Sequence, residues 1–137
     1  MSTDETTAAG GGPSFPRLLI ADDDAVVRST LSAQLRQDFE VIASANDAEQ
    51  AIALAEEHQP DVALIDVEMP GGGGLEAVRQ ISKRSPGTCL VMLSADESRT
   101  HVFELLSAGA IAYIRKGTSG PEIVKTLMDA MGTRDNG

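Results

Sequence analysis

Three consecutive aspartates, Asp22-Asp23-Asp24, follow the apolar run Arg17-Leu18-Leu19-Ile20-Ala21, and a lone aspartate, Asp66, ends the run Asp61-Val62-Ala63-Leu64-Ile65. Runs of this length and apolar continuity read as strands, the second one buried on both faces. Parallel strands that both end in carboxylates bring like charges together, which is costly unless a cation or a proton intervenes. The residue types therefore point to a small acidic cleft holding a divalent metal beside a nucleophilic aspartate, Asp66. The chain then breaks at Pro70 and at Gly71 to Gly74. Asp66 thus sits at the carboxyl end of its strand, where open α/β sheets carry their chemistry.

The elements that position these residues alternate. Arg17 to Ala21 is the first strand, and Ala25 to about Gln37 the first helix, with Val27, Leu31 and Leu35 on one face. Phe39 to Ala43 is a second strand. Asn46 to about His58 is a second helix, opened by a capping box of Asn46 with Glu49 and stopped by Pro60. Its inner face carries Ala48, Ile52 and Ala55. Asp61 to Ile65 and then Leu75 to about Lys83 form the third strand and helix, with Leu75, Val78 and Ile81 or Ser82 inward. Thr88 to Leu93 and Asp96 to Ser107 form the fourth pair, the helix carrying Val102, Leu105 and Leu106 and closed by Gly109. Ala110 to Ile114 is the fifth strand. The last helix spans Gly120 to Met131, with Ser119 and Glu122 as a second capping box and Ile123, Val124, Leu127 and Met131 inward. Five strand and helix pairs call for a doubly wound parallel α/β sheet with helices on both faces.

At 137 residues the chain holds one domain. Residues 1–16 read as a disordered leader, 17–131 as the domain, and 132–137 as a flexible tail or the start of a linker. The leader lacks the charged start and apolar centre of a signal peptide, and no stretch is long enough to span a membrane, so a cytoplasmic protein is expected. A formal charge of −10, with only three lysines, argues against direct nucleic-acid binding by this segment. The single cysteine, Cys89, excludes an internal disulfide and reads as a buried small hydrophobe. His58 and His101 have no ligand partner at useful spacing. Arg17, Arg28, Arg36 and Arg79 read as solvated faces, and Asp24 as the N-cap of the first helix. Gly71 to Gly74 lack the Lys-Ser or Lys-Thr of a phosphate loop and read as a flexible connection.

With a flavodoxin-like strand order 2-1-3-4-5, the loops holding Asp22-Asp23-Asp24, Asp66 to Glu68, Ser94-Ala95-Asp96 and Tyr113 to Gly117 converge on one cleft. This constellation resembles the receiver domain of two-component response regulators, the family that includes the bacterial chemotaxis regulator, over about residues 17 to 131. The resemblance implies that Asp66 is the phosphoacceptor, and that Asp22 and Asp23 are the acidic pair at the metal. It makes Ser94 the hydroxyl residue after the fourth strand, Tyr113 the switch aromatic and Lys116 the lysine beyond it. Met69-Pro70-Gly71 and Gly74-Leu75-Glu76 match the family's loop after the phosphoacceptor. Magnesium or manganese would be held directly by Asp23, Asp66 and the backbone carbonyl of Glu68, with Asp22 holding a metal-bound water. Lys116 would be a point charge on the phosphoryl oxygens, paired with Asp66 before modification. Ser94 would hydrogen-bond the phosphoryl group and let Tyr113 rotate, changing the surface of the fourth helix, fifth strand and fifth helix.

The same resemblance implies partners: a histidine kinase or histidine phosphotransfer protein upstream, and a downstream effector or an output domain. It is also compatible with a homodimer through the fourth helix and fifth strand. Glu68 and Asp96 add carboxylates as modulating residues, Glu68 by acting on the hydrolytic water or on the metal through water. Gly117 stands where relatives often have proline after the lysine, so a looser bend or a trans peptide is expected. Its Thr-Ser-Gly-Pro-Glu helix start resembles receivers joined to helix-turn-helix transcription factors. The glycine run replaces a commoner Gly-Met-Asp-Gly, so that loop is expected to be unusually mobile. The activity expected is self-assisted phosphorylation and dephosphorylation without turnover of an external substrate. Two rivals stand beside it: a receiver-like interaction module that ignores phosphorylation, and a magnesium-dependent aspartyl phosphohydrolase of the haloacid dehalogenase type. The second wants an aspartate where Glu68 stands.

Overall fold

A computed structural model describes residues 15–71, 73–95 and 99–136. Five strands and five helices alternate: β1 (Arg17–Ala21), α1 (Ala25–Leu35), β2 (Glu40–Ala45), α2 (Ala48–His58), β3 (Val62–Asp66), α3 (Gly73–Arg84), β4 (Cys89–Ser94), α4 (Arg99–Ala108), β5 (Ala112–Arg115) and α5 (Gly120–Asn136). The strands are parallel, in the order β2-β1-β3-β4-β5. β3 and β4 are buried at every residue, as continuous apolar strands at a sheet centre must be. β2 is the more exposed edge strand beside β1, and the β1–β2 register slips by one residue between Leu18 and Leu19, passing over Ile42.

Alternate strand residues face opposite layers. Leu18, Ile20, Val62, Leu64, Val91 and Leu93 pack under α1 and α5, against Leu31, Leu35, Ile123 and Leu127. Leu19, Ala21, Ala63, Ile65, Leu90 and Met92 pack under α2, α3 and α4, with Val78, Ile81, Leu105 and the alanines Ala48, Ala51, Ala55 and Ala77. Methyl side chains on α2 permit a close approach of that helix to the sheet.

Several element ends differ from the sequence expectation. α1 stops at Leu35, where the Arg36 N–H still bonds the Ser32 carbonyl. β2 starts at Glu40, whose N–H donates to the Pro16 carbonyl (2.9 Å), and runs on to Ala45. α2 is capped by Asp47 rather than Asn46: Asp47 Oδ1 accepts from the Gln50 N–H (2.7 Å), and Gln50 Oε1 accepts from the Asn46 N–H (2.7 Å). β5 spans Ala112–Arg115: Gly109 and Ala110 close α4, while the Ile111 N–H already bonds Leu90 O (2.8 Å) on β4. The Gly109 N–H bonds Leu106 O and the Ala110 N–H bonds Leu105 O, with Gly109 at φ +131°, a Schellman-type ending. The α5 helix continues past Met131 to Asn136, because no proline interrupts that polar stretch. Ser119 Oγ accepts from the Glu122 N–H (3.4 Å), one half of the expected capping box.

Of the glycine run, Gly71, Gly73 and Gly74 belong to the described residues. Gly73 and Gly74 open α3, and Gly71 (φ +81°) lies against the first residues of α2. There the Ala48 N–H donates to the Pro70 carbonyl (3.0 Å). Residues 1–14, Gly72, Asp96 to Ser98 and Gly137 lie outside the described residues, which leaves out most of the expected leader, the modulating role of Asp96 and the start expected for the fourth helix.

Candidate functional site

The carboxyl ends of β1, β3, β4 and β5 meet, and the main-chain ladder continues beyond them. The Asp22 N–H donates to Ala45 O (3.0 Å), Val67 N–H to Leu93 O (2.9 Å) and Lys116 N–H to Ser94 O (2.8 Å). Strand pairing thus sets the backbone that carries Asp22, Asp66 and Lys116 before any side chain is considered.

Asp22 and Asp66 are almost completely buried (0% and 1% exposed), and Lys116 Nζ stands 3.2 Å from an Oδ2 of each. Each Oδ1 is held by the main chain: Asp22 Oδ1 accepts from the Asp24 N–H (2.9 Å) and Asp66 Oδ1 from the Glu68 N–H (3.1 Å). The two Oδ2 atoms are buried and accept no well-directed hydrogen bond; their contact with Lys116 is that of an ion pair met obliquely. Asp23, at the exposed mouth, completes a group in which one carboxylate oxygen from each of Asp22, Asp23 and Asp66 lies within 4.8 Å of the others. Three carboxylates with two under-satisfied buried oxygens are a donor set that fits a hard divalent cation, since Mg²⁺ favours a few carboxylate oxygens and keeps waters.

Electrostatics agree. Burial pushes the Asp66 carboxyl above the ordinary carboxylate range; the Glu68 N–H and Lys116 pull it down, and the Asp22 charge pushes it further up. Burial alone would lower Lys116, but Asp66 and Asp22 outweigh it and hold the ammonium above its ordinary value. One lysine therefore compensates two buried carboxylates, and a negative charge remains for a cation or a proton to balance.

The remaining expected residues divide. Ser94 is buried at the end of β4 and adjoins this pocket through its carbonyl. Tyr113 is half-buried on β5, packed against the core layer under α2 to α4. Glu68 is exposed at the rim, joined to Asp66 through its N–H. Asp24 is the N-cap of α1, its Oδ1 accepting from the Val26 and Val27 N–H groups (2.8 and 3.2 Å). Gly117 follows Lys116 through a trans peptide at φ +93°, and Thr118 closes the bend, donating from both N–H and Oγ1 to the Arg115 carbonyl.

Two arginines are not the solvated faces expected from sequence. Arg17 Nη1 donates to the carbonyls of His58 and Gln59 (2.8 and 3.0 Å) at the far end of the sheet. Arg28 Nη1 reaches back from α1 to the carbonyl of Asp22 (2.8 Å). Gly74 also belongs to the site: its N–H donates to Val67 O (2.8 Å), and a Cβ there would lie 2.8 Å from Asp66 O. The sequence signal at this position was the match of Gly74-Leu75-Glu76 to the receiver family's loop after the phosphoacceptor, whereas the helix was expected to open only at Leu75.

The family model described as the response regulator receiver domain matches residues 18–128. The chain is 35% identical over 112 residues to the transcriptional regulatory protein PdtaR of Mycobacterium tuberculosis, covering 81% of this chain and 54% of that protein. It is 37% identical over 111 residues to the oxygen regulatory protein NreC of Staphylococcus epidermidis, covering 79% and 51%. The chain thus spans about half the length of these curated relatives. Among solved structures, the receiver domain of the putative response regulator NarL from Mycobacterium tuberculosis superposes with a TM-score of 0.84 at 29% identity, covering 88% of this chain and 98% of that one.

Proposed function

The chain belongs to the response regulator receiver domain family of two-component signalling, and from that membership we propose that Asp66 accepts a phosphoryl group from a histidine kinase or histidine phosphotransfer protein. The observation that carries the reading is the pair of buried Oδ2 atoms of Asp22 and Asp66 facing one lysine at 3.2 Å, with Asp23 at the mouth. A carboxylate oxygen of Asp66 attacks phosphorus, the bond from phosphorus to the donor imidazole breaks, and its electron pair returns to that nitrogen. Lys116 offsets charge on the phosphoryl oxygens. Asp22, Asp23, Asp66 and the carbonyl of Glu68 would hold Mg²⁺ or Mn²⁺. The bound ion supplies further neutralisation of the transferring group.

Downstream, the Ser94 hydroxyl bonds the phosphoryl group, Tyr113 turns, and the surface of α4, β5 and α5 presents a second state to an effector, to an output domain or to a second copy of the chain. Names such as transcriptional regulatory protein and oxygen regulatory protein among the relatives support an output of this kind. The formal charge of −10 speaks against nucleic acid as a direct ligand of this segment. Among the described residues no helix is long and apolar enough to cross a membrane, and the reading places the domain with its kinase partner in the cytoplasm. Glu68, at the rim, sets the lifetime of the aspartyl phosphate.

Incubation with acetyl phosphate and Mg²⁺, followed by intact-mass measurement, tests the reading. The expected result is one added phosphoryl group in the parent and none in Asp66→Asn or without the metal. An unmodified parent would leave a phosphorylation-independent interaction module, and steady phosphate release from small phosphoesters would leave a phosphohydrolase.

A further inference from the structure

We propose that Arg28 is a positioning residue for the carboxylate pocket, fixing the peptide between Asp22 and Asp23 so that the Asp23 carboxylate keeps its place beside Asp22 and Asp66. The inference rests on the reading of this pocket as a cation site. The groups of Asp22 divide among different partners: N–H to Ala45 O, Oδ1 to the Asp24 N–H, Oδ2 to Lys116 and carbonyl to Arg28 Nη1 at 2.8 Å. That carbonyl belongs to the peptide leading into Asp23. The Asp23 side chain is exposed, so the direction of its Cα–Cβ bond depends on how that peptide is held. Arg28 comes from the first turn of α1, which Asp24 caps, and its partly buried bond makes the turn between β1 and α1 a closed brace. A guanidinium donor makes that bond stronger than a neutral one.

Charge and positioning predict opposite signs. A guanidinium near the pocket repels a dication, so if its charge alone mattered, a neutral replacement would tighten cation binding. If positioning dominates, the same replacement loosens it, as loss of an outer partner of metal ligands does.

The full chain, as parent, Arg28→Gln, Arg28→Lys and Asp23→Asn, is titrated with Mn²⁺ and followed by electron paramagnetic resonance, and the denaturation midpoint of each metal-free form is recorded. Arg28→Gln is expected to weaken Mn²⁺ binding about 10-fold with little change in the metal-free midpoint, and Arg28→Lys to recover part of the loss. Unchanged or tighter binding in Arg28→Gln would overturn the proposal. The nitrogen-15 order parameter of the Asp23 amide in the metal-free chain reads the same peptide without any ion: a lower value in Arg28→Gln supports the brace, and an unchanged one refutes it. If the parent binds no Mn²⁺, or Asp23→Asn binds as tightly as the parent, the cation reading of the pocket fails, while the amide measurement still decides the role of Arg28.

Discussion

Replacing Gly74 by alanine sets two effects of opposite sign against each other. Alanine is the better helix former by about 1 kcal/mol, so on propensity alone Gly74→Ala at the start of α3 is stabilising. The added Cβ, however, would lie 2.6 Å from Val67 Cα, 2.8 Å from Asp66 O and 2.9 Å from Val67 O. All three are backbone atoms and cannot swing aside as a side chain does. Ordinary contact begins near 3.4 Å, so the helix start must retreat by about 0.5–0.8 Å from the segment after Asp66. That retreat also lengthens the bond from the Gly74 N–H to Val67 O, now 2.8 Å. Overpacking of this kind costs about 1–3 kcal/mol, so against about 1 kcal/mol of helix propensity a net loss of up to about 2 kcal/mol is expected by urea denaturation. Whatever part of that separation the helix start does not absorb falls on the facing segment, which carries Asp66 and the Glu68 N–H, and misplacement of reacting groups by nearly 1 Å slows reactions up to about 100-fold. Labelling by acetyl phosphate is therefore expected to fall by about 10- to 100-fold. A variant as stable as the parent and labelled at the parental rate would refute this reasoning.

Lys116→Met leaves two buried carboxylates facing each other and is expected to lower metal-free stability at neutral pH by about 1–3 kcal/mol, less than for a fully buried pair because the lysine is partly exposed. Asp66 and Asp22 raise Lys116 above its ordinary pKa of 10.5. Its stabilisation is therefore complete below 10.5 and lost as pH rises through the raised value, so denaturation curves of parent and variant should converge at alkaline pH. Gly117→Ala meets no atom within 4 Å but must hold φ +93°, and a loss of about 1–2 kcal/mol in chemical denaturation is expected from backbone strain alone. Glu68→Ala should change the rate at which phosphoryl mass disappears from Asp66, and an unchanged rate would remove Glu68 from the account of phosphate lifetime.

The carboxylates of the pocket were legible because strand ends are. Apolar runs stop at Asp22 and Asp66, and a parallel sheet puts such stops on one edge. Lys116 needed the family resemblance, since nothing in its local sequence separates it from a solvated lysine. The start of α2 was displaced because Asn46 with Glu49 and Asp47 with Gln50 offer the same pattern one residue apart; the sheet decides, drawing Ala45 into pairing with the Asp22 N–H. β5 was expected to start at Ala110 because Ala110 and Ile111 are both apolar; the Ile111 N–H does bond Leu90 O on β4, but the Ala110 N–H serves the end of α4. Arg28 was not legible at all, because periodicity gives the face a residue occupies and not that a long side chain folds back to a carbonyl six positions earlier.

The methyl-lined layer beneath α2 has a consequence for how substitutions there would be felt. Ala48, Ala51 and Ala55 are fully enclosed, so a larger group at any of them has no slack to occupy and must lift the whole rod outward. The amide at the front of that rod donates to the Pro70 carbonyl, four positions beyond Asp66. Bulk added on this flank would thus tug on the segment leaving Asp66, so under the proposed phosphoacceptor role such substitutions should depress labelling of Asp66 together with stability.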